Sequence, residues 1–508
     1  MIAQKVSFSF FIKLLISGLG YISLFFVARY MGPEALGIIA FALAYIGIFQ
    51  SFSDLGFGSA HIKRVSEGKD FGKCNGTYFT AKSLLIIVMA IIVLSTIFIS
   101  KFIQHKSFIS REHEIVLYII LLSTIIGNLS MMFIITFGAR KEIAKQQIPL
   151  LIGKVVLAAS KVTVAVVGLG VILLASTSLI SAIVILLCFL YLFRGYPIKK
   201  PDKDYFKSYA TFALPVMFIG FLSSIAQNLD KVMIQFFWTT ADVGYYSAAQ
   251  RISLVLTFIT TASITLIFPT ISSYHSKGNI EAIRNLSNQA ERYLSMIFFP
   301  AIAFIFVFSH PICRVLLGTK FLSSAPILII LSFVALVNGI TQPYAQQTGG
   351  TNRVILAAKL SSMVFVLNII LNFLFIPREF LGVKLLGMGG IGAALATLSS
   401  IAIGSVLFRF YAYKITVSKP NPRILLHLTA ALLMGIILHF VSASMSIISW
   451  YYLIFFAVIG VGIYILILTI FQEFTRKDLY LFLNILNPVQ MKNYASSEIR
   501  SGFVQDLD

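Results

Sequence analysis

The stretch at residues 228–251, N-L-D-K-V-M-I-Q-F-F-W-T-T-A-D-V-G-Y-Y-S-A-A-Q-R, determines how the fold is predicted. It places the adjacent charges Asp230 and Lys231 inside a long apolar segment, and Arg251 near the start of the next one. A charge inside a bilayer costs about 3 kcal/mol even on lenient insertion scales, so such charges usually face a bundle interior or a wet cavity. The stretch therefore predicts a membrane protein whose helices enclose polar groups.

The same pattern recurs near the N-terminus. Residues 31–42, M-G-P-E-A-L-G-I-I-A-F-A, align with residues 238–249, W-T-T-A-D-V-G-Y-Y-S-A-A, so that Gly37 falls on Gly244. The two copies would run parallel, because an even number of predicted spans separates them. Parallel repeats are a known plan for transporters, with the binding site at the interface between the repeats. The repeat therefore predicts two lobes with polar groups between them.

The composition excludes a soluble globular protein. Of the 508 residues 58% are hydrophobic and only 12% are charged, and the mean hydropathy is +0.91. Apolar segments of about 18–25 residues suit transmembrane helices, whereas barrel strands would be shorter and alternating. We therefore expect an all-α polytopic membrane protein with about fourteen transmembrane helices. The predicted spans are 8–28, 37–60, 79–100, 115–138, 148–168, 172–193, 209–236, 245–270, 291–312, 325–346, 354–376, 386–408, 424–444 and 450–471.

A polar loop at residues 194–208 separates the first six predicted spans from the seventh to the twelfth. We expect an N-lobe over residues 1–198 and a C-lobe over residues 199–415, related by a pseudo-twofold axis. Residues 416–472 would add two spans without a repeat partner. Residues 473–508 would form a cytoplasmic tail.

Membrane topology explains most of the net charge of +21. Lys and Arg are spread among loops, without a basic domain or interleaved aromatic residues, so we expect no nucleic-acid partner. They are dense in the loops at residues 61–73 and 194–207, and absent near residues 170, 240 and 445. By the positive-inside rule, both termini therefore lie in the cytoplasm.

Five motifs together resemble one known family. They are R-Y-M-G-P-E-A-L-G at 29–37, S-D-L-G-F-G-S-A at 53–60, N-L-D-K at 228–231, A-D-V-G-Y-Y-S-A-A-Q-R at 241–251 and G-I-G-A-A-L-A-T at 390–397. In this order they are typical of the polysaccharide-biosynthesis branch, the Wzx-type O-antigen and oligosaccharide flippases, of the MOP flippase superfamily.

The resemblance implies a function, a fold and partners. The function is the flipping of an undecaprenyl-pyrophosphate-linked oligosaccharide unit of O-antigen, capsule or exopolysaccharide from the inner to the outer leaflet of a bacterial cytoplasmic membrane. The fold is a MATE-like, V-shaped pair of lobes that alternates between inward- and outward-open states. The implied partners are a polysaccharide polymerase and a chain-length regulator, with protons or sodium as the coupling ion.

Cations inside or at the ends of the predicted spans are candidates for binding an anionic cargo. Lys154 and Lys161 are seven residues apart, so they share one helix face about 10 Å apart along its axis. Lysine can act as a point charge on the oxygens of a pyrophosphate. A snorkelling side chain or an interfacial anchor is the alternative explanation. The candidate substrate-binding residues are Lys13, Arg29, Lys154, Lys161, Lys231 and Arg251.

Carboxylates and amides in the spans are candidates for ion coupling or for structural contacts. Asp230 and Lys231 should point about 100° apart on a helix, so we do not expect them to pair directly. Asp230 either titrates as the ion-sensing group of an antiporter or forms a structural ion pair. Asp54 belongs to the S-D-L-G motif or caps a helix end. The full set is Asp54, Asn228, Asp230, Asn368 and Asn372, of which the last two share a face and favour hydrogen bonds between helices.

Other functional classes have less support. The chain has no G-x-x-x-x-G-K-[ST] nucleotide motif, and neither its three cysteines nor its seven histidines show metal-ligand spacing, so we expect no cofactor and no metal. A membrane polymerase or glycosyltransferase would use carboxylates, Arg or His on large outer loops. The outer loops are short, and the largest, at 101–114, offers Glu112 and Glu114 beside Arg111 and His113. A multidrug cation antiporter would show more buried acid than lysine. A peptidoglycan-precursor flippase stays open, because Lys13 and Arg29 in the first span fit it too.

Overall fold

The chain folds almost entirely into α-helices in a computed structural model that describes residues 2–102, 110–419, 421–443, 449–476 and 478. Fourteen α-helices and two 3-10 helices lie within these ranges. The α-helices are α1 (Ile2–Phe49), α2 (Phe57–Ser66), α3 (Phe71–Phe102), α4 (Arg111–Ala139), α5 (Ile143–Val167), α6 (Val171–Leu192), α7 (Lys203–Phe237), α8 (Thr240–Ser276), α9 (Ile280–Leu317), α10 (Ser324–Gly350), α11 (Val354–Phe375), α12 (Gly389–Thr416), α13 (Arg423–Ser442) and α14 (Trp450–Ile470). The 3-10 helices are Gln50–Ser53 and Thr319–Phe321, and a short hairpin pairs β1 (Glu379–Phe380) antiparallel with β2 (Val383–Lys384).

Eleven helical segments in the described ranges are long and apolar enough to cross a membrane. They are Phe11–Ser53, Phe71–Lys101, Arg111–Ala139, Ile143–Val167, Val171–Leu192, Ile280–Leu317, Ser324–Gly350, Val354–Phe375, Gly389–Thr416, Arg423–Ser442 and Trp450–Ile470. The prediction of an all-α polytopic membrane protein is therefore confirmed. The spans predicted at 209–236 and 245–270 fall on α7 and α8, which contain side chains outside the described set, and they stay predictions.

Helix α1 contains the first predicted span and the start of the second, joined by a kink. At the kink Gly32 has φ 80° and ψ −174°, a conformation that is open to glycine because it has no Cβ. Pro33 follows and cannot donate the next helical hydrogen bond. The M-G-P motif therefore marks the junction between two helical segments.

The second predicted span, residues 37–60, is wrong as a single helix. After α1 a 3-10 turn follows over Gln50–Ser53, and α2 begins only at Phe57. Leu55 (φ 45°) and Gly56 (φ 88°) have left-handed backbone conformations that interrupt the helix. Hydropathy does not register this break, because apolar residues lie on both sides of it.

The described residues form two compact units, one up to Leu229 and the other from Asp230 onward. In the first unit, α5 packs against α1 and α6, and α4 packs against α6. Helices α5 and α6 approach closely at Gly153, where a Cβ would lie 2.1 Å from Cγ1 of Ile185. Aromatic side chains of α4 and α6 fill part of the core: Phe133, Phe137, Phe189 and Phe193.

In the second unit, α10 packs against α8, α9 and α12, and α11 packs against α12. Helices α13 and α14 pack against α9 and against each other. The guanidinium of Arg292 on α9 donates to Glu473 at 2.5 Å and to both carboxylate oxygens of Asp478 at 2.9 Å. These bonds attach the start of the predicted tail to the unit. The rest of that tail, residues 477 and 479–508, lies outside the described residues.

Candidate functional site

The helix break after α1 places a carboxylate next to a buried lysine in the first unit. Nζ of Lys82, on α3, lies 2.7 Å from Oδ1 of Asp54. The other carboxylate oxygen accepts the backbone N–H of Gly58 at 3.3 Å, in the first turn of α2. The lysine side chain is 2% exposed and the aspartate side chain 33% exposed. Asp54 therefore caps α2 and also neutralises the buried ammonium group of Lys82, while about a third of its own side chain stays exposed.

Lys82 was not among the residues singled out from the sequence, although it is a lysine inside a predicted span. It lies near the start of the predicted third span, at residues 79–100, where a lysine is easily taken for an interfacial anchor. Only the tertiary structure shows that it is buried. Non-helical backbone such as the turn at Asp54 is tolerated at membrane depth where it is enclosed by protein or lines a wet cavity.

Polar side chains on either side of this break connect it to neighbouring helices of the same unit. Gln50 donates to Oδ1 of Asn128 on α4 at 2.8 Å, and the Ser51 hydroxyl lies 2.6 Å from that of Ser224 on α7. Asn228 packs against Gly47 of α1, where a Cβ would lie 2.8 Å from the amide. Asn228 therefore contributes to the contact between α1 and α7.

A buried histidine lies beside the break. His61 Nδ1 is 3.1 Å from the Tyr209 hydroxyl, and Nε2 is 3.1 Å from the Thr136 hydroxyl. Thr136 donates its own proton to the carbonyl of Met132 at 2.8 Å, so it accepts from Nε2–H and Nδ1 accepts from Tyr209. The ring also stacks on Tyr78 at 4.3 Å. Burial lowers the pKa of His61 to about 3, so the ring is neutral at physiological pH.

In the second unit Asp230 is buried and fully engaged. Its Oδ2 accepts the hydroxyl proton of Tyr246 on α8, and its Oδ1 accepts the backbone N–H of Lys231 at 2.8 Å. Nζ of Lys231 lies 3.8 Å from Oδ1. The expectation that these neighbours do not pair is therefore wrong. Their Cβ bonds diverge on the helix, but the four methylene groups of lysine are long enough to return to the carboxylate.

A chain of polar groups on α11 and α12 lies near this carboxylate. The Tyr246 hydroxyl, which donates to Asp230, also makes a hydrogen-bonding contact with Thr397 of α12. Thr397 accepts from the amide of Asn368 at 3.3 Å, and Asn368 accepts from Asn372 at 3.3 Å. Asn368 therefore makes the hydrogen bond between helices that the sequence favours. Among the described residues, the buried Oδ1 of Asn372 has no hydrogen-bond partner.

A second buried charge pair of this unit was missed from the sequence. Glu291 on α9 is fully buried, pairs with Arg409 on α12, and accepts the hydroxyl proton of Tyr344 on α10 at 2.5 Å. The Arg409 guanidinium lies 4.7 Å from the centre of the Tyr344 ring. Both charged residues lie at the edges of predicted spans, at 291–312 and 386–408, where hydropathy suggests interfacial positions. Their partners follow from packing alone.

The candidate cations are distributed over both units. Lys13 and Arg29 are exposed on α1, and the Arg29 guanidinium lies over the Phe25 ring at 4.4 Å. Lys154 and Lys161 are half-buried on α5, as Arg251 is on α8, and all three take part in polar, charged or ring contacts. Lys231 forms its ion pair with Asp230, which is itself a candidate site residue.

Comparison with known proteins identifies a family and a similar flippase. A family model described as "Polysaccharide biosynthesis protein" matches residues 26–326. The probable low-salt glycan biosynthesis flippase Agl15 of Haloferax volcanii is 24% identical over 407 residues, which cover 78% of this chain and 80% of the relative.

Solved structures show the fold. The lipid II flippase MurJ in an inward closed conformation superposes with a TM-score of 0.73 at 18% identity, over 91% of this chain and 98% of that one. An inward-facing multidrug resistance MATE transporter of the MOP superfamily gives a TM-score of 0.60 at 16% identity, over 79% and 96% of the two chains. The chain therefore has a fold of the MurJ and MATE type.

Proposed function

This chain belongs to the polysaccharide biosynthesis protein family, and on that premise we propose that it is a flippase for a lipid-linked glycan. The observation that carries the proposal is the similarity to a probable glycan biosynthesis flippase over 80% of that relative's length. The eleven apolar spans, and the buried charges of Lys82 within one of them and of Asp230 and Lys231 on α7, agree with a transporter whose cargo has a polar head.

The proposed cargo is an undecaprenyl-pyrophosphate-linked oligosaccharide unit of O-antigen, capsule or exopolysaccharide. The excess of lysine over carboxylate on α1 and α5 supports an anionic head group. In this proposal the head group binds to Lys13, Lys154 and Lys161, with Arg29, Lys231 and Arg251 as further contacts. The proposed lipid carrier and glycan follow from the resemblance of the motifs to a bacterial family. The matched glycan flippase is archaeal.

The proposed transport cycle is alternating access of two lobes. Fourteen spans would form an N-lobe at residues 1–198, a C-lobe at residues 199–415 related to it by a pseudo-twofold axis, and two added spans at 416–472. Both termini would lie in the cytoplasm of a bacterial cell with the protein in its cytoplasmic membrane. A polysaccharide polymerase and a chain-length regulator would act on the product. Loop charge and the internal repeat support this arrangement.

The proposed coupling ion acts at Asp230. Carboxylate, hydroxyl and amide oxygens suit a proton or a hard cation such as sodium, and Asp230, Tyr246, Thr397 and Asn372 supply them within one unit. In the described state Lys231 neutralises the carboxylate. Uptake of an ion by Asp230 would release Lys231 from this pair. The released ammonium group could then bind the anionic head group, which links ion binding to cargo binding.

The experiment is deletion of the gene followed by localisation of the lipid-linked glycan. The proposal predicts loss of surface polysaccharide, glycan units trapped in the inner leaflet, and normal peptidoglycan. Accumulation of a peptidoglycan precursor with lysis would instead indicate a precursor flippase. Complete units that reach the outer leaflet without being polymerised would show that the chain is not the flippase.

A further inference from the structure

A surface cavity of about 620 Å³ lies at one end of the first unit. It is lined by Phe8 of α1, by the turn Arg140, Lys141 and Glu142, and by Ile143, Ala144 and Lys145 at the start of α5. The turn connects two candidate spans, Arg111–Ala139 and Ile143–Val167, so the cavity lies where these helices leave the membrane. None of the groups proposed to bind the glycan head lines it.

The described residues that line the cavity carry a net positive charge. Three cations, on Arg140, Lys141 and Lys145, surround the single carboxylate of Glu142. That carboxylate is already engaged, by Arg140 Nε at 2.9 Å, by Lys145 Nζ at 3.3 Å and by the Tyr196 hydroxyl at 2.5 Å. The described lining therefore has a net charge of +2, which favours an anionic ligand. Lys141 is exposed, in a left-handed backbone conformation with φ 58°.

Aromatic side chains fix the orientation of two of these cations. The Arg140 guanidinium lies 4.9 Å from the centre of the Phe71 ring and 5.2 Å from that of Tyr196. Lys145 Nζ donates to the Tyr196 hydroxyl at 2.6 Å. Because these side chains are already ordered, a ligand would not have to immobilise them on binding.

The first turn of α5 adds to the same field. Glu142, the residue before this 25-residue helix, makes no side-chain capping bond, and the next three residues line the cavity. The N–H groups of a first helical turn have no acceptor within the helix, and the helix dipole is positive there. The turn therefore favours an anion in the cavity that the three cations already line.

Apolar surface extends from the cavity along both helices. Phe11, Leu14 and Leu15 of α1 and Ile148, Ile152 and Val155 of α5 are exposed, and α1 packs against α5. A ligand bound in the cavity would therefore have a charged region at its head and hydrocarbon-compatible surface below it. An anionic lipid has this combination of chemistry, whereas a free phosphate uses only the charged part.

We propose that this cavity binds the phosphate head group of an anionic membrane phospholipid, with the acyl chains lying against α1 and α5. Basic pockets between transmembrane helices at a membrane surface are suited to anionic lipid head groups. Lipid binding in this cavity is independent of which glycan the protein transports. In the proposed orientation the lipid belongs to the cytoplasmic leaflet.

The test uses the purified full-length protein in detergent, titrated with phosphatidylglycerol or with phosphatidylcholine while the number of retained lipids is counted by native mass spectrometry. We expect at least one phosphatidylglycerol to bind more tightly than phosphatidylcholine. Lys141→Gln should weaken it about fivefold, the usual effect of one cation near an anionic surface. Lys207→Gln, which removes an exposed cation at the start of α7, is the matched control and should bind as the wild type does.

A second variant changes the charge in the opposite direction. Ala144 is exposed at the cavity, and Ala144→Lys should tighten phosphatidylglycerol binding without removing any contact. Equal retention of the two lipids, or equal effects of Lys141→Gln and Lys207→Gln, would overturn the proposal. Inorganic pyrophosphate is the soluble probe. If it displaces phosphatidylglycerol and binds with equal affinity, the cavity is a phosphate site and the assignment to a lipid is wrong.

Discussion

Replacing Asp54 by asparagine tests how the first unit accommodates a buried lysine. The substitution removes the carboxylate that lies 2.7 Å from Nζ of Lys82 and leaves the ammonium in a site where the side chain is 2% exposed. Removing one partner of a buried ion pair costs about 3–5 kcal/mol, because the remaining charge stays desolvated. We therefore expect Asp54→Asn to be strongly destabilised.

The converse substitution should be much milder. Lys82→Met keeps the length and apolar stem of the side chain and leaves Asp54 with one third of its surface exposed. That carboxylate retains the N–H of Gly58 and can be solvated, so we expect a loss of only about 1 kcal/mol, the upper end of the range for a solvent-accessible charge. The double variant Asp54→Asn/Lys82→Met should recover most of the stability, since replacing both charges of a buried pair is often neutral.

The assay is thermal unfolding of the purified variants in one detergent. The midpoint should be lowest for Asp54→Asn, higher for Lys82→Met, and close to wild type for the double variant. Lys101→Met, which breaks the exposed pair with Glu114, is the control and should leave the midpoint unchanged. Equal midpoints for the two single variants, or a double variant as unstable as Asp54→Asn, would refute the argument from unequal burial.

Three further predictions concern transport and pH. Replacing Asp230 by asparagine should make glycan flipping independent of the proton or sodium gradient, measured as turnover across pH and sodium concentration. Flipping should be lost, with the protein still folded, when neutral residues replace all three of Lys13, Lys154 and Lys161. His61 has a folded-state pKa of about 3 against an ordinary 6.5, so the unfolded state takes up a proton first. The stabilisation of the folded state by the neutral, buried ring is thus complete above pH 6.5. Below pH 6.5 the free energy of unfolding falls by about 1.4 kcal/mol per pH unit. This pH dependence should be absent from His61→Asn.

Each of these predictions has a contrary outcome. Ion-dependent flipping that survives in Asp230→Asn would place coupling elsewhere. Full activity of the triple lysine variant would show that the cargo charge is not bound by α1 and α5. An unchanged difference in stability between wild type and His61→Asn from pH 6.5 to 4 would mean that the histidine is not buried in its neutral form.

The architecture was predictable because its main signal is local. A membrane-spanning helix has to be apolar over about 20 residues, so hydropathy alone identifies it. The stretch at 228–251 also predicts a buried polar group, because Asp230 is a carboxylate inside an apolar segment. Asp230 is in fact buried. The charge and amide positions chosen from the sequence include Asp54, Asn368 and Asn372, all of which make specific polar contacts.

Most of what could not be predicted depends on neighbours that are distant in sequence. The helix break at Leu55 and Gly56 is stabilised by packing, since Cβ of a residue in place of Gly56 would approach the Ala213 carbonyl at 3.1 Å. Lys82 has its partner 28 positions earlier, and Glu291 has its partner 118 positions later. A hydropathy average over a whole span changes little when one residue is charged, so it does not show these pairs. The contact between Asp230 and Lys231 was missed because helix geometry gives the direction of Cβ and not the path of a long side chain.

The most direct test of the central claim is glycan flipping by the purified protein in liposomes. Lipid-linked oligosaccharide carrying a fluorescent group is placed in both leaflets, and a membrane-impermeant quencher reports how much can reach the outer surface. We expect wild-type protein to make nearly all of the labelled glycan lipid accessible under an ion gradient, and the triple lysine variant to leave the inner pool protected. Equal protection with wild-type protein, the triple variant and empty liposomes would contradict the claim that this chain is a glycan-lipid flippase.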